Sequence, residues 1–188
     1  MIIRQFEKRD TEDVRYICLN CDGPSDMTPE GEHFILVTYC DYFIEKEGHN
    51  CFVACDENDK AVGYILCAEN YDKFIECFRN EYIPKIPEEQ KEHRFYASTS
   101  AVLQGKYKDE YPAHLHIDIL PEYQRMGLGH KLTDALCSHL KSKKVKAVML
   151  TVNPENLKGA AFYEKYGFSL IESTPTDLVY GIKFSDEE

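Results

Sequence analysis

The residues with the most chemical content form the run Gln124-Arg125-Met126-Gly127-Leu128-Gly129. Gly127 and Gly129 lack a Cβ and tolerate positive φ, so backbone N–H groups around them can converge on one anion. Leu128, Leu132, Leu136 and Leu140 recur one helical turn apart, so a helix starts on this loop. Its unpaired first-turn N–H groups and the positive end of its dipole would join the same site. A pyrophosphate suits such a cradle, and Arg125, with His130 and Lys131 beside it, would add charge. The spacing is neither that of a P-loop nor that of a G-x-G-x-x-G dinucleotide loop. A tight strand-to-helix turn would read the same way.

Two further sets bear on that choice. Asn156, Gly159, Phe162, Tyr163, Gly167 and Phe168 punctuate a second helical stretch after an apolar run, Ala147 to Val152. His114, His116 and Asp118 alternate with Leu115, Ile117 and Ile119, a period of two that puts the polar groups on one strand face. There they could relay a proton or hold a water. A half-exposed strand with a solvated or packed polar face shows the same alternation.

The elements that must position these groups follow from periodicity and breakers. Strands are expected at 2–6, 51–55, 61–68, 113–120, 147–152, 168–172 and 178–184. Helices are expected after Asp10 or Thr11, over roughly 28–46, from Leu128, and from Asn156 to about Tyr166. Gly167 is placed to cap the last of these in the left-handed region. Residues 71–112 are less regular. Phe74, Phe78 and Tyr82 recur at helical spacing there, Pro84 and Pro87 stop that helix, and a further helix fits within 88–104. This stretch reads as an insertion within a single domain over 1–188. Ser185 to Glu188 reads as a polar tail.

Composition bounds the function classes. The 188 residues carry 22 Lys+Arg against 33 Asp+Glu, a net charge of −11. That disfavours nucleic-acid binding, which depends on neutralising phosphates, and is compatible with a cationic substrate as well as with plain solubility. No run is apolar enough to span a membrane and the N-terminus has no signal-peptide pattern, so a cytoplasmic location is expected. Eight cysteines then read as reduced, buried small hydrophobes. A zinc site from Cys18, Cys21, Cys51 and Cys55 is the less favoured alternative, and no metal is expected.

From His114 to Ile171 the chain resembles the GNAT acyltransferase superfamily. The resemblance rests on the Q/R-x-x-G-x-G/A loop at Gln124 to Gly129 and on the N-x-x-A/G-x-x-h-Y-x-x-x-G-F helix at Asn156 to Phe168, in that order and at that spacing. The stretch AHLHIDILPEYQ is also similar to acetyltransferase-like domains attached to some O-GlcNAcases. The resemblance implies an α/β fold: a mixed, mostly antiparallel sheet of six to seven strands with flanking helices, splayed between two central parallel strands, 113–120 and 147–152. It implies acetyl-CoA as cosubstrate, with backbone groups near Ile119 and Leu120 pairing with pantetheine. The N–H groups of Gln124, Arg125, Met126, Gly127, Leu128 and Gly129 would take the pyrophosphate, and Asn156 and Tyr163 would lie by the pantetheine and the sulfur.

The implied activity is N-acetyl transfer to a primary amine of a small molecule or peptide, by direct attack on the thioester. Tyr163 would be the general acid, since a phenol stays protonated at neutral pH. An amphipathic core tyrosine is the alternative. His116 and Asp118 would help deprotonate the amine; Glu45 and Glu69 are lesser candidates. The aromatics of residues 42–111 would line the acceptor side, and the 71–112 insertion or a strand edge could support a homodimer. A non-catalytic acyl-CoA-binding module on the same fold remains the alternative function.

Overall fold

The computed structural model describes residues 1–184; the polar tail expected at 185–188 lies outside them. Seven strands form one sheet: β1 (Ile2–Gln5), β2 (Phe52–Cys55), β3 (Ala61–Ala68), β4 (Ala113–Ile119), β5 (Ala147–Val152), β6 (Ser169–Ser173) and β7 (Leu178–Lys183). Their order is β1-β2-β3-β4-β5-β7-β6. Every neighbouring pair is antiparallel except β4 and β5, which run parallel. The expected mixed, splayed sheet is therefore present.

The splay has a definite register. β4 and β5 pair only at Ala113 with Val148 and His114 with Met149. Beyond that point β4 stays on β3 and β5 stays on β7, so the two strands leave a wedge between them. Because Leu120 N–H bonds the Val62 carbonyl at 3.0 Å, the ladder to β3 uses residues 114, 116, 118 and 120. The backbone groups of Ile117 and Ile119 consequently point into the wedge.

Helices cover both faces. On one face lie α1 (Thr11–Asn20), α2 (Pro29–Tyr39), α3 (Asp41–Lys46) and α4 (Tyr71–Cys77). α5 (Lys91–Ser100) and α6 (Val102–Gly105) complete the segment between β3 and β4. On the other face lie α7 (Leu128–Ser142) and α8 (Leu157–Tyr166). All eight residues of β3 are buried, as a strand covered on both faces must be. Leu128, Leu132, Leu136 and Leu140 form the inward stripe of α7. Gly167, at φ +115°, closes α8.

Two expectations change and one alternative is resolved. The stretch 28–46 is two helices, because Cys40 leaves helical geometry between α2 and α3. Phe74, Phe78 and Tyr82 do not share one α-helix: α4 gives way to a π-helical turn, Phe78–Tyr82, and then to a 3₁₀ turn at Ile83–Lys85. Of the two alternatives for the polar face of β4, solvated or packed, His114 is packed against Phe43 and Phe74 and only 4% exposed, while His116 and Asp118 stay partly exposed. The eight cysteines are free thiols, and six are buried as core residues.

Candidate active site

Two cavities meet in the wedge. The larger, about 1120 Å³, lies on the α2–α6 side of β4; the smaller, about 540 Å³, lies at the start of α7. Both are lined by Cys21, Asp22, Ile117, Asp118, Asn156 and Tyr163. Reactants held in the two cavities would touch at those residues.

The smaller cavity is built on the Gly127 turn. Gly127 has φ +77°, and a Cβ added there would meet nothing within 4 Å, so backbone conformation alone requires glycine. Gly129 is different: it is helical, and a Cβ would meet the Phe162 ring at 3.1 Å. Of the two glycines that could take positive φ, Gly127 does and Gly129 instead uses its missing Cβ, while Arg125, at φ 62°, also lies in the left-handed region. Gly127 offers no side-chain cap to α7, so the first-turn N–H groups stay open to the cavity. Arg125, His130 and Lys158 line it. Lys158 escaped the sequence reading, though its place two residues after Asn156 put it within the recognised helix motif. Lys131 is exposed and outside the lining.

Several expected cofactor residues play other parts. The Gln124 N–H bonds the Pro121 carbonyl at 3.3 Å. Its side-chain amide donates to the carbonyls of Ile119 (2.9 Å) and Cys21 (3.1 Å), tying β4 to the end of α1. Leu120 is buried with its N–H committed to β3, so Ile117 rather than Leu120 joins Ile119 in facing the wedge. Met126 is 52% exposed and outside the lining, whereas Leu128 lines the cavity although its side chain is buried. The Asn156 side-chain oxygen accepts from Gly159 N–H at 2.9 Å as the cap of α8. Its NH₂ remains available as a donor.

Tyr163 stands at the junction of the cavities, packed on Phe162, Phe168 and Tyr180. Its hydroxyl bonds no group among the described residues, whereas the buried Tyr180 hydroxyl donates to Glu164 at 2.8 Å. Burial, and then the nearby Asp118 charge, push the Tyr163 phenol well above its ordinary value, so it holds its proton at neutral pH.

Across the junction, Tyr64 donates to Asp118 at 2.5 Å and lies 3.1 Å from His116 Nδ1. His116 stacks on Tyr39 at 5.4 Å. Burial raises the Asp118 carboxyl, against the attraction of His116 and the hydrogen bond from Tyr64. The expected His116–Asp118 pairing thus acquires a third member, Tyr64, which no periodicity in the sequence indicates.

Glu45 and Glu69 lie elsewhere: Glu45 accepts from Tyr82 at 2.8 Å and from Lys85 at 3.2 Å, and Glu69 pairs with Lys143. Of the aromatics, Tyr39, Phe43, Phe74, Phe78 and Tyr96 line the larger cavity. Tyr42, Tyr71, Tyr82, Phe95, Tyr107 and Tyr111 do not. Among the described residues, Glu47, His49 and Glu69 are close enough to share a cation. Those carboxylates are already used, Glu47 by Tyr42 and Asn50, and Glu69 by Lys143.

Comparison with known proteins bears on the family and the fold. A stretch of 65 residues is 40% identical to a mycothiol acetyltransferase of Paenarthrobacter aurescens (strain TC1), covering 35% of this chain and 19% of that protein. The chain thus spans only about a fifth of the length of that curated relative. The crystal structure of SsHAT matches over 98% of both chains, with TM-score 0.88 and 24% identity. The PaiA N-acetyltransferase of Thermoplasma acidophilum, solved in complex with coenzyme A, matches over 97% of this chain and 98% of its own, with TM-score 0.60 and 17% identity. These two likenesses concern the fold. Among the described residues no helix is long and apolar enough to cross a membrane. The acetyltransferase (GNAT) family model matches residues 13–168, most of the sequence, and the chain belongs to that family.

Proposed function

We propose that the protein is an acetyl-CoA-dependent N-acetyltransferase, one domain over 1–188, that acts on a primary amine of a small molecule or peptide. The observation that carries this reading is the meeting of two cavities at the unpartnered Tyr163 hydroxyl. The smaller cavity fits a CoA-like ligand. It combines open N–H groups at the start of α7, the cations Arg125 and Lys158 with His130 beside them, and the wedge-facing N–H groups of Ile117 and Ile119. The larger cavity fits an amine, since Asp22, Asp118, Glu155 and Asp177 line it and, among the described residues, no Lys or Arg does. Eight free cysteines are in keeping with a reducing, cytoplasmic setting.

When bound, acetyl-CoA would supply an activated acyl group as a thioester. The chain's residues then have separable tasks. Ile117 and Ile119 would hold an extended arm as an added strand would be held. An N–H of that edge would donate to the oxygen that gains charge during attack. Asp118, with Tyr64 and His116, would draw the proton from the incoming ammonium, directly or through water. Tyr163 would give its proton to the departing sulfur.

The test is thiol release from acetyl-CoA over a panel of alkylamines, polyamines, aminoglycosides, amino sugars and peptides. Tyr163→Phe should lower kcat by about a hundredfold or more, with CoA affinity within about twofold. An unchanged kcat would remove Tyr163 from the chemistry. Stabilisation by CoA without turnover of any amine would leave a binding module instead.

A further inference from the structure

His114 is the most unusual buried side chain in the molecule. It lies on β4 at the closed end of the larger cavity, beside Met149 of β5, where the two strands are still paired. It is 4% exposed, and neither ring nitrogen has a hydrogen-bond partner among the described residues. Phe74 and Phe43 hold the ring edge-on at 4.4 and 5.6 Å. Gln104 is its counterpart. It sits on α6, which packs against α4 and β5, lines the same cavity, and has a buried Oε1 that is also unpartnered. Buried polar groups are nearly always paired, because the lost hydration is otherwise uncompensated. Two such groups in one cavity call for a ligand that pairs them.

Their chemistry limits the ligand. Burial drives the His114 pKa down to about 3, so at neutral pH the ring is uncharged and offers one donor and one acceptor. Gln104 Oε1 offers an acceptor. The cavity's carboxylates all lie toward the other end: Asp22 follows α1, Asp118 is near the end of β4, Glu155 follows β5, and Asp177 precedes β7. Four residues of extended strand, roughly 13 Å, separate His114 from Asp118. Phe43, Phe74 and Phe78 supply apolar wall near the closed end.

We propose that the larger cavity selects an elongated amine whose far end carries an uncharged group that both donates and accepts hydrogen bonds, a primary carboxamide or hydroxyl, received by His114 and Gln104. The proposal rests on the reading of this cavity as the acceptor side. The ammonium sits among the carboxylates by Asp118 and Tyr163, the apolar body lies along the aromatic wall, and the neutral tail satisfies the two orphaned side chains. A second ammonium at the closed end would be buried without a carboxylate, which disfavours a diamine.

Calorimetry on the protein, alone and with CoA, decides this with three ligands of one chain length: octylamine, ω-aminooctanamide and α,ω-octanediamine. The amide should bind about tenfold or more tightly than octylamine, and the diamine no more tightly than octylamine. His114→Leu should bring the amide down to the octylamine value. Gln104→Met, on the surface-facing helix α6, should remove part of the preference and serves if His114→Leu fails to fold. Equal binding of amide and octylamine, tightest binding of the diamine, a preference that survives both substitutions, or no binding of any ligand would overturn the proposal. Acetyl transfer is read in parallel: no turnover with the amide preference intact would overturn the enzyme reading and leave this one standing.

Discussion

At the scale of single residues, the strand face His114, His116 and Asp118 carries three different jobs on one sequence pattern. A buried neutral histidine is an acid-sensitive element. Between the ordinary imidazole value of 6.5 and its own value of about 3, His114 binds a proton only when the chain unfolds. Stability should therefore fall as pH drops through that window. His114→Leu should flatten the acid limb of Tm against pH by one proton's worth and raise Tm at pH 5, because it removes two unpartnered polar atoms. Parallel wild-type and variant curves would refute the neutral assignment. Asp118 works in the opposite sense. Its pKa is raised from 3.8, so over the window just above that value the folded state holds the proton more tightly, and stability is lost as pH rises. Asp118→Asn should raise Tm at neutral pH while lowering kcat at least tenfold; thermal melts and initial rates on the same sample check both signs. The alternation that picked out this face was legible in the letters. The division of labour was not, because it depends on Tyr64, 52 and 54 residues away, reaching His116 and Asp118 from β3.

At the scale of elements, the cradle at the start of α7 needs its two glycines for different reasons. Gly127 has open space around it and a left-handed backbone, so Gly127→Ala should cost about 1 kcal/mol in strain alone and weaken CoA binding. Gly129 is confined by Phe162. Gly129→Ala should destabilise by displacing that ring, and the added substitution Phe162→Leu should restore much of the loss. Chemical denaturation of the two singles and the double gives the coupling energy, and simple additivity would show that Phe162 is not the obstacle. The G-x-G spacing announced a turn that leaves N–H groups free. It could not say which glycine answers to backbone and which to a neighbour from α8. The same limit explains the break between α2 and α3. The apolar residues of 28–46 suit one helix, and only packing against the sheet shows the chain leaving helical geometry at Cys40.

At the scale of the whole molecule, charge is distributed as two reactants of opposite sign would require. The chain is acidic, at −11, yet Arg125, His130 and Lys158 line only the smaller cavity, Glu155 and Asp177 line only the larger, and Asp22 and Asp118 stand where the two meet. Arg125→Ala with Lys158→Ala should weaken CoA binding by about tenfold and shift Tm little, since both side chains are exposed. Raising salt should weaken CoA binding to the wild type more than to that double variant, as read by titration at two ionic strengths. Equal salt responses would show that the cavity binds without those cations.

What the sequence determined by itself is local and periodic: seven strands, the α7 and α8 helices with their leucine stripe and glycine cap, and the paired loop and helix motifs that mark the family. Those features rest on interactions between residues a few positions apart, which spacing records. The wedge was visible there only through the resemblance to that family. Tertiary structure alone decided that Ile117 rather than Leu120 faces the wedge, because strand parity is set by the bond from Leu120 to Val62. It alone decided that His114 of the polar face of β4 is buried, because α3 and α4 bring Phe43 and Phe74 over it. That burial leaves His114 without a partner among the described residues, in the cavity that Gln104, also unpartnered at Oε1, lines from α6.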